Sequence, residues 1–108
     1  MADVEQPEEE QEQAPFPLPP PSFSFLILSL RTQAEMQLGL MQFGEEEKAE
    51  PDLLLARHTI DLMGVLQEKT KGNLQIEEQR LLENSLTELR FRFVQVSEQA
   101  GKAASPKS

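Results

Sequence analysis

Two amphipathic patterns with the period of an α-helix occupy residues 53–96, and they meet at a sharp corner at residues 71–73. The apolar stripe of the earlier pattern consists of Leu55, Thr59, Leu62, Met63 and Leu66, and Ala56 and Ile60 widen it. The stripe of the later pattern consists of Leu82, Ser85, Leu86, Leu89, Phe93 and Val96, with Leu81 at its edge. Because a linker of about three or four residues is too short for a crossover, the two helices are predicted to run antiparallel as an αα-hairpin.

Cap residues define the ends of these two predicted helices. Asp52 is a suitable N-cap for the earlier helix, which is predicted over about residues 53–71, and Gly72 supplies the left-handed residue that ends it. The later helix is predicted over about residues 76–97, with two glutamates in its first turn, where acids interact favourably with the helix dipole.

A third, more apolar helix is predicted earlier in the chain, over about residues 23–38, with Ser22 as its N-cap and Gly39 after its end. A helix that packs against one neighbour requires one apolar stripe. Here that stripe consists of Phe23, Leu26, Ile27, Leu30, Ala34 and Leu38. Phe25 and Leu28 are surplus to that stripe, so they need a second surface.

That second surface could be a partner chain, a membrane interface or a hydrophobic ligand. The segment is shorter than the roughly 20 apolar residues that cross a bilayer. Its polar face also lacks the Lys and Arg enrichment of helices that lie on membranes. Self-association is therefore favoured, and membrane contact is not expected. The candidate interaction face consists of Phe23, Phe25, Leu26, Ile27, Leu28 and Leu30.

The segments outside these helices have compositions that disfavour folding. Residues 1–21 join an acidic run to a proline-rich stretch, and residues 1–14 hold six acids and no base. Such a leader cannot bury enough apolar surface to fold, and we expect it to be disordered. Residues 43–50 are expected to form a charged loop, and residues 98–108 a disordered tail.

Composition also excludes several classes of protein. The 108 residues include ten Lys or Arg against nineteen Asp or Glu, which disfavours nucleic acid as a partner. The chain has no cysteine, so it has neither disulfides nor a thiolate zinc site. Its acidic N-terminus is unlike a signal peptide, and we expect a cytoplasmic protein.

Residues that could carry chemistry are few. His58 is the single histidine, and Asp61 lies one helical turn later, but no nucleophile is placed for the pair to activate. A di-metal bundle site needs Glu-x-x-His on two helices, and the residue three before His58 is Leu55. The glycines are isolated and form no phosphate-binding loop. We therefore expect no catalytic residue, no metal site, no cofactor and no enzyme activity.

Several segments resemble a known family. They are residues 23–40, Leu55 to Asp61, the corner sequence Leu66 to Leu74, Leu81-Leu82-Glu83, and Leu89-Arg90. Together they resemble the uncharacterised bacterial family catalogued as domain of unknown function 1844. The resemblance covers about 70 residues and implies a small helical fold with no assigned activity, cofactor or catalytic residue. Gln75 departs from the family pattern, in which a threonine caps the third helix, so a weaker cap is expected here.

The sequence therefore predicts an all-α protein of three helices, completed by oligomerisation through its first helix. The predicted function is a self-associating structural or adaptor module. An alternative is a binder of an apolar small molecule or acyl chain between the helices, with Met36, Met41 and Met63 as adaptable lining. The expected partner is a second copy of the chain, with an unidentified protein as a further possibility.

Overall fold

The computed structural model describes residues 17–40 and 50–104, and within these ranges the chain forms three helices and no strand. The helices are α1 (Phe23–Gln37), α2 (Leu53–Lys69) and α3 (Ile76–Ala104). The predicted all-α fold is confirmed. The expected disorder of residues 1–16 and 105–108, and most of the expected loop at 43–50, lie outside the described residues.

Both predicted N-caps are confirmed. The hydroxyl of Ser22 accepts a hydrogen bond from the backbone N–H of Phe25 at 3.0 Å, and a carboxylate oxygen of Asp52 accepts one from Leu55 at 3.1 Å. Each bond satisfies an N–H that lacks a partner within its helix. At the other end of α1, Gly39 has φ +77°, the left-handed conformation that glycine adopts without steric cost.

The corner between α2 and α3 combines a tightened helix end with a left-handed glycine. α2 ends at Lys69, slightly before the predicted residue 71, and the Thr70 hydroxyl donates to the carbonyl of Leu66 at 2.7 Å. Gly72 has φ +82°, as its predicted position requires. The chain then turns back into α3.

α3 begins at Ile76, and its first turn explains how the helix starts without a threonine cap. A carboxylate oxygen of Glu78 accepts a hydrogen bond from the backbone N–H of Gln75 at 2.9 Å. This is the reach-back half of a capping box, made without the usual Ser or Thr partner. The expected weakness at Gln75 is thus partly offset by Glu78.

α3 is longer than predicted, because it continues to Ala104 where the sequence indicated an end near residue 97. Residues 98–100 are Glu, Gln and Ala, which are good helix formers, and no proline follows before Pro106. The polar composition of this segment contains nothing that breaks a helix.

One hydrophobic core lies between the three helices, and each helical segment supplies three of its buried residues. The core consists of Ile27, Ala34 and Leu38, of Ala56, Ile60 and Met63, and of Leu82, Leu86 and Leu89. The predicted stripe of α3 is confirmed, since Ser85 is also buried and Phe93 and Val96 pack against the core. The core is small for a chain of this length.

Three leucines assigned to buried stripes are exposed instead. Leu26 is 42% exposed, Leu55 47% and Leu62 44%. On α2 the buried centre is shifted to Ala56, Ile60 and Met63, with Thr59 beside them. The apolar residues of α2 fit two adjacent stripes, and packing selected the one containing the small Ala56, which lets a neighbouring helix approach closely.

Two polar contacts between helices fix how α1 is rotated against its neighbours. The buried Thr59 hydroxyl donates to the side-chain carbonyl of Gln37 at 2.7 Å, and Nη1 of Arg31 donates to the buried Ser85 hydroxyl at 3.4 Å. Among the described residues, no buried side-chain nitrogen or oxygen lacks a hydrogen-bond partner. One side of α1 therefore faces α2 through Gln37, and the other faces α3 through Arg31.

Candidate interaction face

The side of α1 that points away from the core exposes two large apolar residues. Successive residues of an α-helix are rotated by about 100°, so Phe25 and Met36 lie opposite the buried Ile27 and Ala34, and Leu28 lies at the edge of this side. The exposed fractions of Phe25, Leu28 and Met36 are 38%, 44% and 41%, respectively. The uncharged Ser29, Thr32 and Gln33 are exposed on the same side. The outward side of α1 is therefore a mixture of apolar and uncharged polar residues.

This outward side also carries no charge. Between Phe23 and Leu40 the charged residues are Arg31 and Glu35, whose side chains pair at 3.2 Å. Arg31 also contacts Ser85, so this ion pair lies on the flank of α1 that faces α3. No charged residue of α1 lies on the outward side or on the flank that faces α2.

The flank of α1 beside α2 continues the apolar surface onto that helix. Leu26 lies on the same flank as Gln37, which contacts Thr59 of α2. Leu62 lies on the same side of α2 as Thr59, whereas Gly64 faces α3, since a Cβ there would be 3.3 Å from Nη2 of Arg90. Leu26 and Leu62 therefore border one groove between α1 and α2.

A second exposed stripe on α2 extends this groove outward. It consists of Leu55, His58, Leu62 and Val65, all exposed, with Leu54 at its edge at 83% exposed. We call the combined surface the α1–α2 face. Its apolar members are Phe25, Leu26, Met36, Leu54, Leu55, Leu62 and Val65.

The six residues predicted as an interaction face occupy different environments. Phe25, Leu26 and Leu28 are exposed, and Phe23 and Leu30 are half-buried. Ile27 is fully buried in the chain's own core, so it cannot contact a partner in this conformation. The sequence-based face is corrected at this residue, whose spacing fits the core stripe and the outward surface equally well.

Sequence reasoning missed the contribution of α2 to this surface. Leu55 and Leu62 were assigned to the core, and Leu54 and Val65 were not assigned at all. The sequence did contain a signal for this surface, because Leu54 and Val65 do not fit the helical spacing of the α2 stripe. They are surplus apolar residues in the same sense as Phe25 and Leu28.

Of the two residues considered for catalysis, Asp61 lines a surface cavity between α2 and α3, and His58 does not. His58 and Asp61 are both exposed on α2, and a carboxylate oxygen of Asp61 is 3.9 Å from Nε of Arg57. Over residues 17–40 and 50–101, no group of three or more His, Asp or Glu side chains is arranged to hold a metal ion. The geometry brings no third group to the histidine.

The methionines proposed as ligand lining do not come together. Met63 is fully buried in the core, Met36 is exposed on the α1–α2 face, and Met41 lies outside the described residues. A cavity of about 260 Å³ lies instead at the helical corner, where polar residues such as Gln67 and Lys71 line much of it. Neither described methionine lines that cavity.

The helices described here were also compared with the requirements for crossing a bilayer. None of them combines the length and the apolar composition of a membrane-spanning helix.

The match to known families follows the boundaries of the fold. The sequence profile of a family described as a domain of unknown function (DUF1844) matches residues 20–95. This range covers α1, α2, the corner and most of α3. No curated protein and no solved structure matches the chain. Since the matched range is well over half of the 108 residues, the chain belongs to the DUF1844 family.

Proposed function

We propose that the chain is a small helical interaction module that associates with itself through the outward side of α1, in a structural or adaptor role. The observation that carries this proposal is the exposure of Phe25, Leu26 and Leu28 on α1, whose outward side carries no charge. Contiguous apolar surface beyond a few hundred Å² is uncommon on monomers and usually marks an interaction site.

The composition supports a protein as the partner rather than a nucleic acid. The chain has a net charge of −9 and only ten Lys or Arg residues with which to neutralise phosphates. An uncharged apolar helix face is instead complementary to another apolar surface. The proposal assigns no catalytic role to His58 and no cofactor to the fold, and it places the protein in the cytoplasm.

The decisive variant for this proposal is Leu28→Asp. It introduces a charge at the edge of the outward side of α1, two helical turns from Glu35, where burial against a partner would remove that charge from water. The molar mass measured by light scattering after size exclusion is expected to fall from a multiple of 12.2 kDa to the monomer value. The resulting monomer should also unfold at lower denaturant concentration.

The matched control is Phe91→Asp, because Phe91 is 60% exposed on α3, away from α1. This variant should keep the mass of the unmodified protein. A Leu28→Asp protein of unchanged mass and stability would contradict the proposal, as would an unmodified protein that is monomeric at every concentration.

A further inference from the structure

A surface cavity of about 370 Å³ lies between α2 and α3, on the flank of α2 that points away from the α1–α2 face. Its lining residues are Arg57, Ile60, Asp61, Arg90, Phe93 and Val94. Pockets for small ligands have volumes of roughly 300–1,000 Å³ and combine apolar walls with a few polar groups. The size and the lining of this cavity both fit that description.

Arg90 lines this cavity without an acidic partner. Arg57 and Arg92 each pair with a carboxylate four residues away in the sequence. At the same spacing from Arg90 the helix offers only Leu86 and Val94. None of the ion pairs among the described side chains includes Arg90. Its guanidinium is therefore available to an anion from outside the chain.

A glycine lets the guanidinium of Arg90 lie against α2. Gly64 is inside that helix, where glycine is less favourable than alanine. A Cβ at this position would be 3.3 Å from Nη2 of Arg90, which is closer than ordinary van der Waals contact. The missing side chain of Gly64 thus leaves the space that the guanidinium borders. Packing between the helices positions this charged group before any ligand binds, which lowers the entropic cost of binding.

The cavity is lined by two positive groups and one negative group, on a chain whose net charge is −9. The negative group is Asp61, which lies 3.9 Å from Arg57, and these two side chains are 68% and 71% exposed, respectively. Exposed ion pairs of this kind contribute little to stability, so Arg57 can bind a ligand at small cost. The single positive charge that remains suits a monoanion better than a phosphate group, whose charge is about −1.5 to −2 near neutral pH.

We propose that the cavity between α2 and α3 binds a small monocarboxylate with an apolar body. Arg90 binds the carboxylate, since a guanidinium can donate two parallel hydrogen bonds to it, and Arg57 contributes a second positive charge. The apolar body contacts Ile60, Phe93 and Val94, and it covers part of Val94, which is 52% exposed in the free chain. This inference is independent of the proposed self-association, because the cavity and the α1–α2 face lie on different flanks of α2.

An NMR titration of the isotope-labelled full-length chain with phenylacetate tests this inference, and phenylacetamide is the uncharged comparison of the same shape. We expect saturable shifts of the amide signals of residues 57–64 and 90–94. The amide should bind at least about tenfold more weakly, because hydrogen bonds between charged groups are worth that factor or more. Arg90→Gln should weaken phenylacetate binding by a similar factor. The matched control is Arg92→Gln, since Arg92 pairs with Glu88 and does not line the cavity.

Four outcomes would overturn the inference. The first is the absence of saturable shifts with phenylacetate, and the second is equal affinity of the Arg90→Gln and Arg92→Gln proteins. The third is competition by inorganic phosphate as strong as that by phenylacetate, which would indicate a general anion site. The fourth is a set of shifts confined to α1, which would place the ligand on the exposed apolar residues there. Both arginines are exposed, so both variants should fold, and the same spectra verify this.

Discussion

The outward surfaces of α3 and of α1 differ in a way that shows which parts of the chain are complete. α3 presents charged residues to solvent, including the Glu88–Arg92 pair at 3.0 Å, and its buried stripe is covered by α1 and α2. The outward side of α1 presents Phe25, Leu28 and Met36 without a charge among them. A helix can thus have its own core satisfied and still expose a second apolar surface.

This difference indicates that the incomplete part of the molecule is the surface whose exposed residues lack charge. Exposed apolar residues are normal on any protein, and α3 has Phe91 and Val94, which lie one turn apart. Arg90 and Glu98 lie one turn before and one turn after Val94. On the α1–α2 face several lie together, so there the surface resembles an interface.

The largest expected effect tests whether α3 has only one apolar side. Leu89 is fully buried, and Leu89→Ala should lower the free energy of unfolding by about 2–5 kcal/mol, because it leaves a cavity in a small core. Phe91→Ala, on the outward side of the same helix, should change it by less than about 0.5 kcal/mol. Urea titrations of both variants measure the difference. Similar losses for both would show that α3 also has a covered outer side.

The corner between α2 and α3 provides a change that should affect folding without affecting association. Gly72→Ala forces a side chain into a left-handed conformation at φ +82°, and it should cost about 1–2 kcal/mol. Gly101→Ala is the matched control in α3, where no atom lies within 4 Å of the added Cβ. That control should be neutral or stabilising by up to about 1 kcal/mol. A changed oligomer mass of the folded Gly72→Ala protein would contradict the expectation that the corner affects folding and not association.

The start of α3 gives a smaller effect. Glu78→Ala removes the carboxylate that accepts from the Gln75 N–H, and we expect a loss of about 0.5–1 kcal/mol. Glu77→Ala, at the neighbouring position of the first turn, should lose only the weaker dipole interaction of about 0.3–0.5 kcal/mol. Thermal unfolding of both variants compares them. Equal losses would mean that the reach-back bond contributes nothing beyond charge.

The smallest effect is expected at His58. This side chain is exposed and lies in the exposed stripe of α2. His58→Ala should therefore leave both the unfolding free energy and the oligomer mass nearly unchanged, and any cellular phenotype intact. A lost phenotype in a variant that folds and associates normally would indicate a chemical role for the histidine.

Local signals in the sequence were sufficient for the order and the starts of the helices. Ser22 and Asp52 cap α1 and α2 as predicted, and Gly39 and Gly72 adopt the left-handed conformation. These features depend on residues within a few positions of one another. The end of α3 was wrong because polarity was treated as a stop signal, although helix propensity persists to Ala104.

The rotation of the helices could not be predicted in the same way. Leu55 and Leu62 fit a helical stripe as well as Ala56 and Ile60 do, and only contacts between helices distinguish the two. The Thr59–Gln37 bond selects the second set. The candidate face was therefore found in part on α1, where apolar residues were too many for one stripe. It was missed on α2, where two stripes overlap.

Sedimentation equilibrium of the unmodified full-length chain, from low micromolar to near-millimolar concentration, tests the central claim most directly. The claim is that the chain associates with a second copy through the exposed apolar residues of α1 and α2. The account predicts a reversible transition from 12.2 kDa to twice that mass as concentration rises. A mass that stays at the monomer value throughout would contradict it.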